Sequence, residues 1–265
     1  MPPFGMRLQS VRILRLLTTP MVVKQVKHWF VTRANAARWR PIADWAEARN
    51  ADFTQGSDAQ SFLIDAPTGG PGPLRIEWGP SQRSYLLGPE LRMRCELGLH
   101  PDLQLLVLCR DLMERLETAV FEAYTDTLKT RADTDTPEEM RWLVMFPKFN
   151  PSASQTLRQR FGLVGVTKEL LSAWVEGELG VALTQATQDV LPAGHPFVMM
   201  SLRGNLYLRT AMSEATLPAI QGLVRLLECA AREAQRINSR LTDAGPWPST
   251  SAAAWHYSTI RPADV

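Results

Sequence analysis

The sequence predicts an α+β protein, with a mainly antiparallel sheet and four to five packed helices. Two runs that begin at Leu74 and Leu91 alternate apolar and charged residues with period two, which is typical of antiparallel strands with one buried face. Amphipathic segments with helix-start signals follow strands in both halves of the chain. Because this order occurs twice, the alternative organisation is a chain of two related α/β halves.

Residues 36–97 are predicted to form one helix and four strands. A helix is predicted at 36–49, because Trp39, Ile42 and Trp45 share one side at helical spacing. Gly-Pro pairs in the alternating region mark turns, so it is interpreted as a three-stranded meander. The predicted strands are 61–65, 73–78, 84–87 and 90–97.

Strands and helices then alternate. An apolar run at 102–109 predicts a strand buried on both faces. A helix at 111–130 follows, and the next helix is predicted to start at Pro137 with Thr136 as its N-cap. The remaining predictions are a strand at 160–166, a helix at 168–187 capped by Thr167, a hairpin of 197–202 and 206–210 around Gly204-Asn205, and a helix at 214–241 capped by Ser213.

Composition divides the chain into segments. The proline-containing stretch 146–154 is the predicted linker between two α+β parts. The predicted segments are a partly disordered basic arm at 1–30, an N-terminal α+β half at 31–147, a C-terminal α+β half at 155–241, and a mobile tail at 242–265.

Charge is distributed unevenly between these segments. The net charge is +2, but no acidic residue precedes Asp44, so residues 1–43 carry +8 and the remainder carries −6. Three hypotheses account for 1–20: an extension ahead of a native start at Met21, an arm that contacts anionic lipid or nucleic acid, or a helix packed on the body. The cations available for such contacts include Arg7, Arg12, Arg15, Lys24 and Lys27.

The lack of a recognisable sorting signal and the cysteine usage lead us to expect a cytoplasmic protein. Arg12 and Arg15 interrupt the apolar run that a secretory signal requires. No stretch approaches the ~20 apolar residues of a membrane-spanning helix. Three cysteines, far apart and without a CxxC pair, fit a reducing compartment. We therefore expect neither a signal peptide nor a transmembrane segment.

No assembled catalytic or metal-binding motif is recognisable. The four histidines form no HxxxH pair, and no GxSxG sequence occurs. Cys109, between a strand and a helix, has the one position that favours a lowered thiol pKa, although simple core packing is the preferred interpretation. Glu138 and Glu139 are explained as first-turn acids that complement a helix dipole. We expect no catalytic residue, metal or cofactor.

The polar face of the 73–97 strands is the candidate ligand site. A solvated ladder of paired charges is the preferred interpretation of this face. The alternative is an anion site, because guanidinium groups bind planar oxyanions in bidentate fashion. The candidate ligand-binding residues are Arg75, Glu77, Arg83, Arg92, Arg94 and Glu96.

Three runs of sequence resemble an uncharacterised proteobacterial family of hypothetical proteins. The runs are IEWGPSQRSYLLGPELRMRCELG, TPEEMRWLVMFPK and FVMMSLRGNLYLR. The resemblance covers roughly residues 22–241 and implies a bacterial source. The family brings no assigned activity, so it implies no functional residue.

These observations lead to three functional hypotheses. The first is a non-catalytic intracellular binding or adaptor protein, with an unknown protein partner contacted through the arm or through an aromatic tail that holds Trp247, Trp255 and Tyr257. The alternative is an enzyme or sensor that binds an anionic small molecule on the charged face. As an enzyme it would use Glu77 or Glu96 as acid/base, which requires a glutamate pKa raised toward neutrality. The third is association with nucleic acid or anionic membrane through the arm.

Overall fold

The computed structural model describes residues 37–56, 60–125, 136–152 and 154–243. Within them, nine strands form one sheet that is antiparallel throughout, and seven helices accompany it. The strands are β1 (Asp52–Gln55), β2 (Phe62–Ala66), β3 (Leu74–Pro80), β4 (Pro89–Glu96), β5 (Leu105–Cys109), β6 (Lys148–Phe149), β7 (Phe161–Gly165), β8 (Phe197–Leu202) and β9 (Asn205–Ala211). This confirms the predicted α+β class with a mainly antiparallel sheet.

The helices occupy the intervals between these strands. The helices are α1 (37–47), α2 (Arg110–Thr125), α3 (Glu138–Met145), α4 (Gln155–Arg160), α5 (Lys168–Val175), α6 (Glu178–Asp189) and α7 (Leu217–Asp243). The strand order across the sheet is β1-β2-β3-β4-β9-β8-β5-β7-β6. The predicted segments 31–147 and 155–241 therefore both contribute strands to the same sheet, and the β8–β9 hairpin lies between β4 and β5.

One face of the sheet, the inner face, carries the main core. Register places Ile76, Met93, Leu208 and Met199 side by side on this face, and all four are buried. Trp39 of α1 packs edge-on against the rings of Phe62 and Trp78, and α7 contacts β9. Helices α1 and α7 thus bury the apolar half of the period-two alternation.

The opposite face, the outer face, is only partly covered. Helix α2 contacts β5 and β7, and α3 contacts β7. The Sδ atom of Met113 lies 2.4 Å from the position a Cβ would occupy on Gly162, so α2 packs directly on the backbone of β7. The outer face of β3, β4 and β9 carries charged side chains instead, and there the candidate site is found.

The loop between β3 and β4 corrects the predicted meander. The predicted strand at 84–87 is wrong, because β3 and β4 pair directly with each other along their whole lengths, up to Pro80 opposite Pro89. Residues 81–88 are the connection between them. Strand β1, which was not predicted, extends the sheet by pairing with β2.

Four other details differ from the sequence predictions. Pro137 rather than Thr136 occupies the N-cap of α3, without a side-chain cap bond. The helix predicted at 168–187 divides into α5 and α6 at Gly177, although Thr167 caps α5 as expected. The hairpin turn uses Arg203 and Gly204, both with positive φ, and α7 begins at Leu217.

Candidate ligand-binding site

Strand register arranges the outer-face side chains in two rows. Directly paired residues of an antiparallel sheet lie on the same face, about 4.5–5.5 Å apart at Cβ. From β3 through β4 to β9, the rows are Glu77–Arg92–Arg209 and Arg75–Arg94–Tyr207. We call the four arginines Arg75, Arg92, Arg94 and Arg209 the arginine face. Two of the cross-strand pairs, Arg75–Arg94 and Arg92–Arg209, oppose like charges, an arrangement that destabilises a sheet unless something compensates.

Glu77 provides part of this compensation. Its carboxylate accepts hydrogen bonds from Arg75 Nε at 2.7 Å and from Arg92 Nη2 at 2.9 Å. Burial raises the pKa of Glu77, but the hydrogen bonds and charges of the two arginines outweigh burial and hold this pKa below its ordinary value. A general acid or base at neutral pH needs the opposite shift, so Glu77 does not suit the acid/base role considered for it.

Asp65 pairs with Arg75, and Glu96 pairs with Arg94. Glu90, which lies next to Arg92 on the outer face of β4, pairs with two arginines. Its side chain is 0% exposed, and it accepts hydrogen bonds from Arg92 Nη1 at 3.0 Å and from Arg209 Nη1 at 2.8 Å. Ser81 Oγ donates a third bond at 3.0 Å. A buried carboxylate is tolerated when it is paired and hydrogen-bonded in this way. Glu90 therefore fixes two guanidinium groups without presenting negative charge to solvent.

Arg94 and Arg209 retain unused hydrogen-bonding capacity. Within the described residues, Arg94 donates one bond, from Nη2 to Glu96 at 2.7 Å, and its buried Nε has no partner. Arg209 likewise donates one bond, to Glu90, although a guanidinium group has five N–H donors. Burial, followed by the repulsion of Arg83, lowers the pKa of Arg209. Among the described residues, N–H groups of both Arg94 and Arg209 therefore have no protein partner.

A shallow cavity of about 200 Å³ opens over the arginine face. We call it the first cavity. Four arginines and one glutamate line it, whereas Asp65, Glu90 and Glu96, which pair with these arginines, lie outside the lining. The lining residues are Arg75, Glu77, Gln82, Arg92, Met93, Arg94, Tyr207 and Arg209. Fixed guanidinium groups with free donors at a concave, positively charged surface can bind a carboxylate or phosphate.

A second cavity, of about 140 Å³, adjoins the first and shares Tyr207 and Arg209 with it. Its wall is formed by α3 and the 81–88 loop. Glu139 of α3 is 1% exposed and accepts bonds from Arg83 Nε at 2.6 Å and from the Tyr85 hydroxyl. This buried interaction holds the loop against α3. Its floor consists of three apolar residues of β8: Val198, Met200 and Leu202.

The structure brings together most of the residues proposed from the sequence. Arg75, Glu77, Arg92 and Arg94 line the first cavity. Arg83 lies in the wall of the second cavity. Glu96 is half exposed at the margin, bound to Arg94, and lines neither cavity.

Four residues of the site were not identified from the sequence. Tyr207 and Arg209 alternate with Leu206 and Leu208, a signal for an outward-facing strand row, but nothing local indicates that β9 pairs with β4. Glu90 continues the outward alternation of Arg92 and therefore could have been found. Glu139, expected only to complement a helix dipole, also anchors the loop.

Other candidate chemistry receives less support from the described residues. Burial raises the pKa of Cys109, so the lowered thiol pKa considered for this residue is wrong. In the part of the chain that is described, no three His, Cys, Asp or Glu residues are placed to hold a metal ion. No helix there has the length and apolar character needed to cross a bilayer.

The arm and the tail lie outside the described residues. The predicted lipid-binding or nucleic-acid-binding cations and the aromatic residues of the tail are among them. These residues are Arg7, Arg12, Arg15, Lys24, Lys27, Trp247, Trp255 and Tyr257. Comparison of the chain with protein-family models, with curated proteins and with solved structures gave no match.

Proposed function

We propose that this protein is a non-catalytic binding protein or sensor for a small anionic molecule, which it holds in the first cavity. The observation that carries the proposal is the arginine face with its incompletely used donors. Arg94 and Arg209 each donate one hydrogen bond to a carboxylate of the protein, although a guanidinium group has five N–H donors. A bound oxyanion between Arg94 and Arg209 would accept hydrogen bonds from the N–H groups that remain.

Binding without catalysis is favoured by the chemistry of the acidic residues. The pKa of Glu77 is lowered by Arg75 and Arg92, and the side chain of Glu90 is fully buried. A lowered pKa makes Glu77 unsuited to acid/base chemistry at neutral pH, and burial keeps Glu90 out of the lining of both cavities. The three cysteines are free and buried, which supports the expectation of a reducing, cytoplasmic environment.

The first test is anion binding by the wild-type chain. Phosphate, sulfate and acetate are titrated at an ionic strength held constant with sodium chloride, and binding is measured by calorimetry and by thermal unfolding. A ligand at 100 times its Kd stabilises the native state by about 2.7 kcal/mol. We expect at least one of these oxyanions to stabilise the native chain relative to chloride.

Variants locate the site of binding. The double variant Arg94→Gln, Arg209→Gln lacks two guanidinium groups that line the first cavity. We expect this variant to bind the oxyanion at least about tenfold more weakly than the wild type. Arg38→Gln is the matched control, because Arg38 is an exposed arginine with one carboxylate partner, Glu214, away from the arginine face. The proposal is refuted if no oxyanion stabilises the wild type, or if the Arg38→Gln control loses binding as much as the double variant does.

A further inference from the structure

The two cavities share Tyr207 and Arg209 in their linings, and the chemistry of the outer face changes from one cavity to the other. The rows of the arginine face continue onto β8, where Arg209 lies opposite Val198 and Tyr207 lies opposite Met200. Each row therefore runs from guanidinium groups on β4 to aliphatic side chains on β8. Tyr207 stands at the transition, with a polar hydroxyl and an apolar ring.

The spacing of strands gives the distance from one cavity to the other. Neighbouring strands lie about 4.8 Å apart, so β4 and β8, separated only by β9, are about 10 Å apart. An anionic group at Arg94 and an apolar group over Met200 would therefore be separated by about 10 Å. This distance suits a single small molecule that spans both cavities.

The second cavity is unsuited to a second anion. Its charged side chains are two arginines, Arg83 and Arg209, and two glutamates, Glu138 and Glu139, so the lining has no excess positive charge for a second anion. The β8 floor offers aliphatic surface instead. Small-molecule sites are commonly apolar with a few polar groups that fix orientation, and this combination matches that pattern.

We infer that the ligand is an amphipathic organic acid, with its anionic head on the arginine face and its alkyl or aryl group in the second cavity. This inference rests on the proposed function, because it uses the same anion site. It adds the apolar selectivity that the arginine face alone cannot provide.

The test compares acetate, butanoate and octanoate, which share a head group and differ in apolar length. The n-octylammonium ion serves as the control for the chain without the anion. We expect octanoate to bind the wild type at least about tenfold more tightly than acetate, equivalent to about 1.4 kcal/mol. We expect octylammonium to bind more weakly than octanoate, since the arginine face repels its charge.

A cavity-filling variant assigns the gain to the second cavity. Leu202→Trp places a larger side chain at a partly exposed floor position. We expect it to remove the preference for octanoate and to leave acetate binding within about twofold of the wild type. A second measurement does not depend on the folding of this variant: in wild-type protein with ¹³C-labelled methionine methyl groups, octanoate shifts the Met200 resonance and acetate leaves it unchanged.

The outcomes separate this inference from the proposed function. Equal affinity for acetate and octanoate, with both lost in the Arg94→Gln and Arg209→Gln double variant, overturns the apolar extension and leaves the anion site intact. Octylammonium that binds as tightly as octanoate also overturns the extension. If neither acetate, phosphate nor octanoate binds, the anion site itself is wrong and the extension is wrong with it.

Discussion

The contact between α3 and the 81–88 loop predicts a large difference between two adjacent glutamates. Glu139 is 1% exposed and accepts bonds from Arg83 and Tyr85. Glu138, one residue earlier in the same helical turn, is one-quarter exposed and pairs with Arg141 on the surface. Substituting each by alanine removes the same number of atoms from the same helix, so the pair is internally matched.

The expected loss of unfolding free energy in Glu139→Ala depends on Arg83, which loses its carboxylate partner. Removing one partner of a buried ion pair costs about 3–5 kcal/mol, because the remaining charge is buried without compensation. Arg83 retains 24% exposure, so water partly compensates it, and we expect about 3 kcal/mol for Glu139→Ala. Surface pairs contribute about 0–1 kcal/mol, so we expect less than about 1 kcal/mol for Glu138→Ala.

Urea denaturation followed by tryptophan fluorescence measures both changes. The midpoint of Glu139→Ala should shift while the slope m stays constant, which identifies a loss of stability rather than a change in the denatured state. Tyr85→Phe should cost about 1.5 kcal/mol in the wild type and almost nothing in Glu139→Ala, since the hydroxyl then has no carboxylate to lose. Equal losses for Glu138→Ala and Glu139→Ala would refute the buried contact between the loop and α3.

Three further predictions concern other parts of the molecule. Because the folded pKa of Glu77 lies below its ordinary value of 4.5, the stability it contributes is present above that value and is lost as the pH falls through the folded pKa. The difference in unfolding free energy between wild type and Glu77→Gln should therefore shrink below pH 4.5, and a constant difference from pH 7 to pH 3 would contradict this. Burial raises the pKa of Cys109, so iodoacetamide should modify it in urea and not in buffer, and rapid labelling of the native chain would disprove its burial. A Cβ at position 180 would lie 2.3 Å from the carbonyl oxygen of Val175; Gly180→Ala should thus cost about 1–3 kcal/mol by urea denaturation, and a change below about 0.5 kcal/mol would show that the backbone adapts.

The sequence predicted those parts of the fold that depend on local pattern. Strands β3 and β4 were identifiable because Leu74, Ile76 and Trp78 alternate with charged residues along one strand, and the period is a property of the strand itself. Their outward arginines followed from the same alternation. The predicted strand at 84–87 was wrong. Four residues in the segment between two Gly-Pro pairs are too few for their pattern to distinguish a strand from a loop.

The remainder of the site depends on pairing between distant segments. Arg209 reaches the arginine face only because β9 pairs with β4, more than one hundred residues away along the chain. No local property of β9 specifies that neighbour. Glu139 looked like an ordinary first-turn acid, because its partners lie on a loop that is remote in sequence. Local pattern therefore identified three of the four arginines of the arginine face, and pairing between distant strands supplied Arg209.

The central position of the β8–β9 hairpin affects the chain during its synthesis. The sheet consists of one block, β1 to β4, and another, β5 to β7, that only this hairpin joins. Until residues 197–211 have been synthesised, β4 and β5 each have one edge without a neighbouring strand. The edge of β4 carries Arg92 and Arg94, and such charged side chains discourage pairing with other chains. Strand β5 has the sequence LLVLC, without a charged residue. We therefore expect a nascent or truncated chain to aggregate through β5 as long as the β8–β9 hairpin is missing.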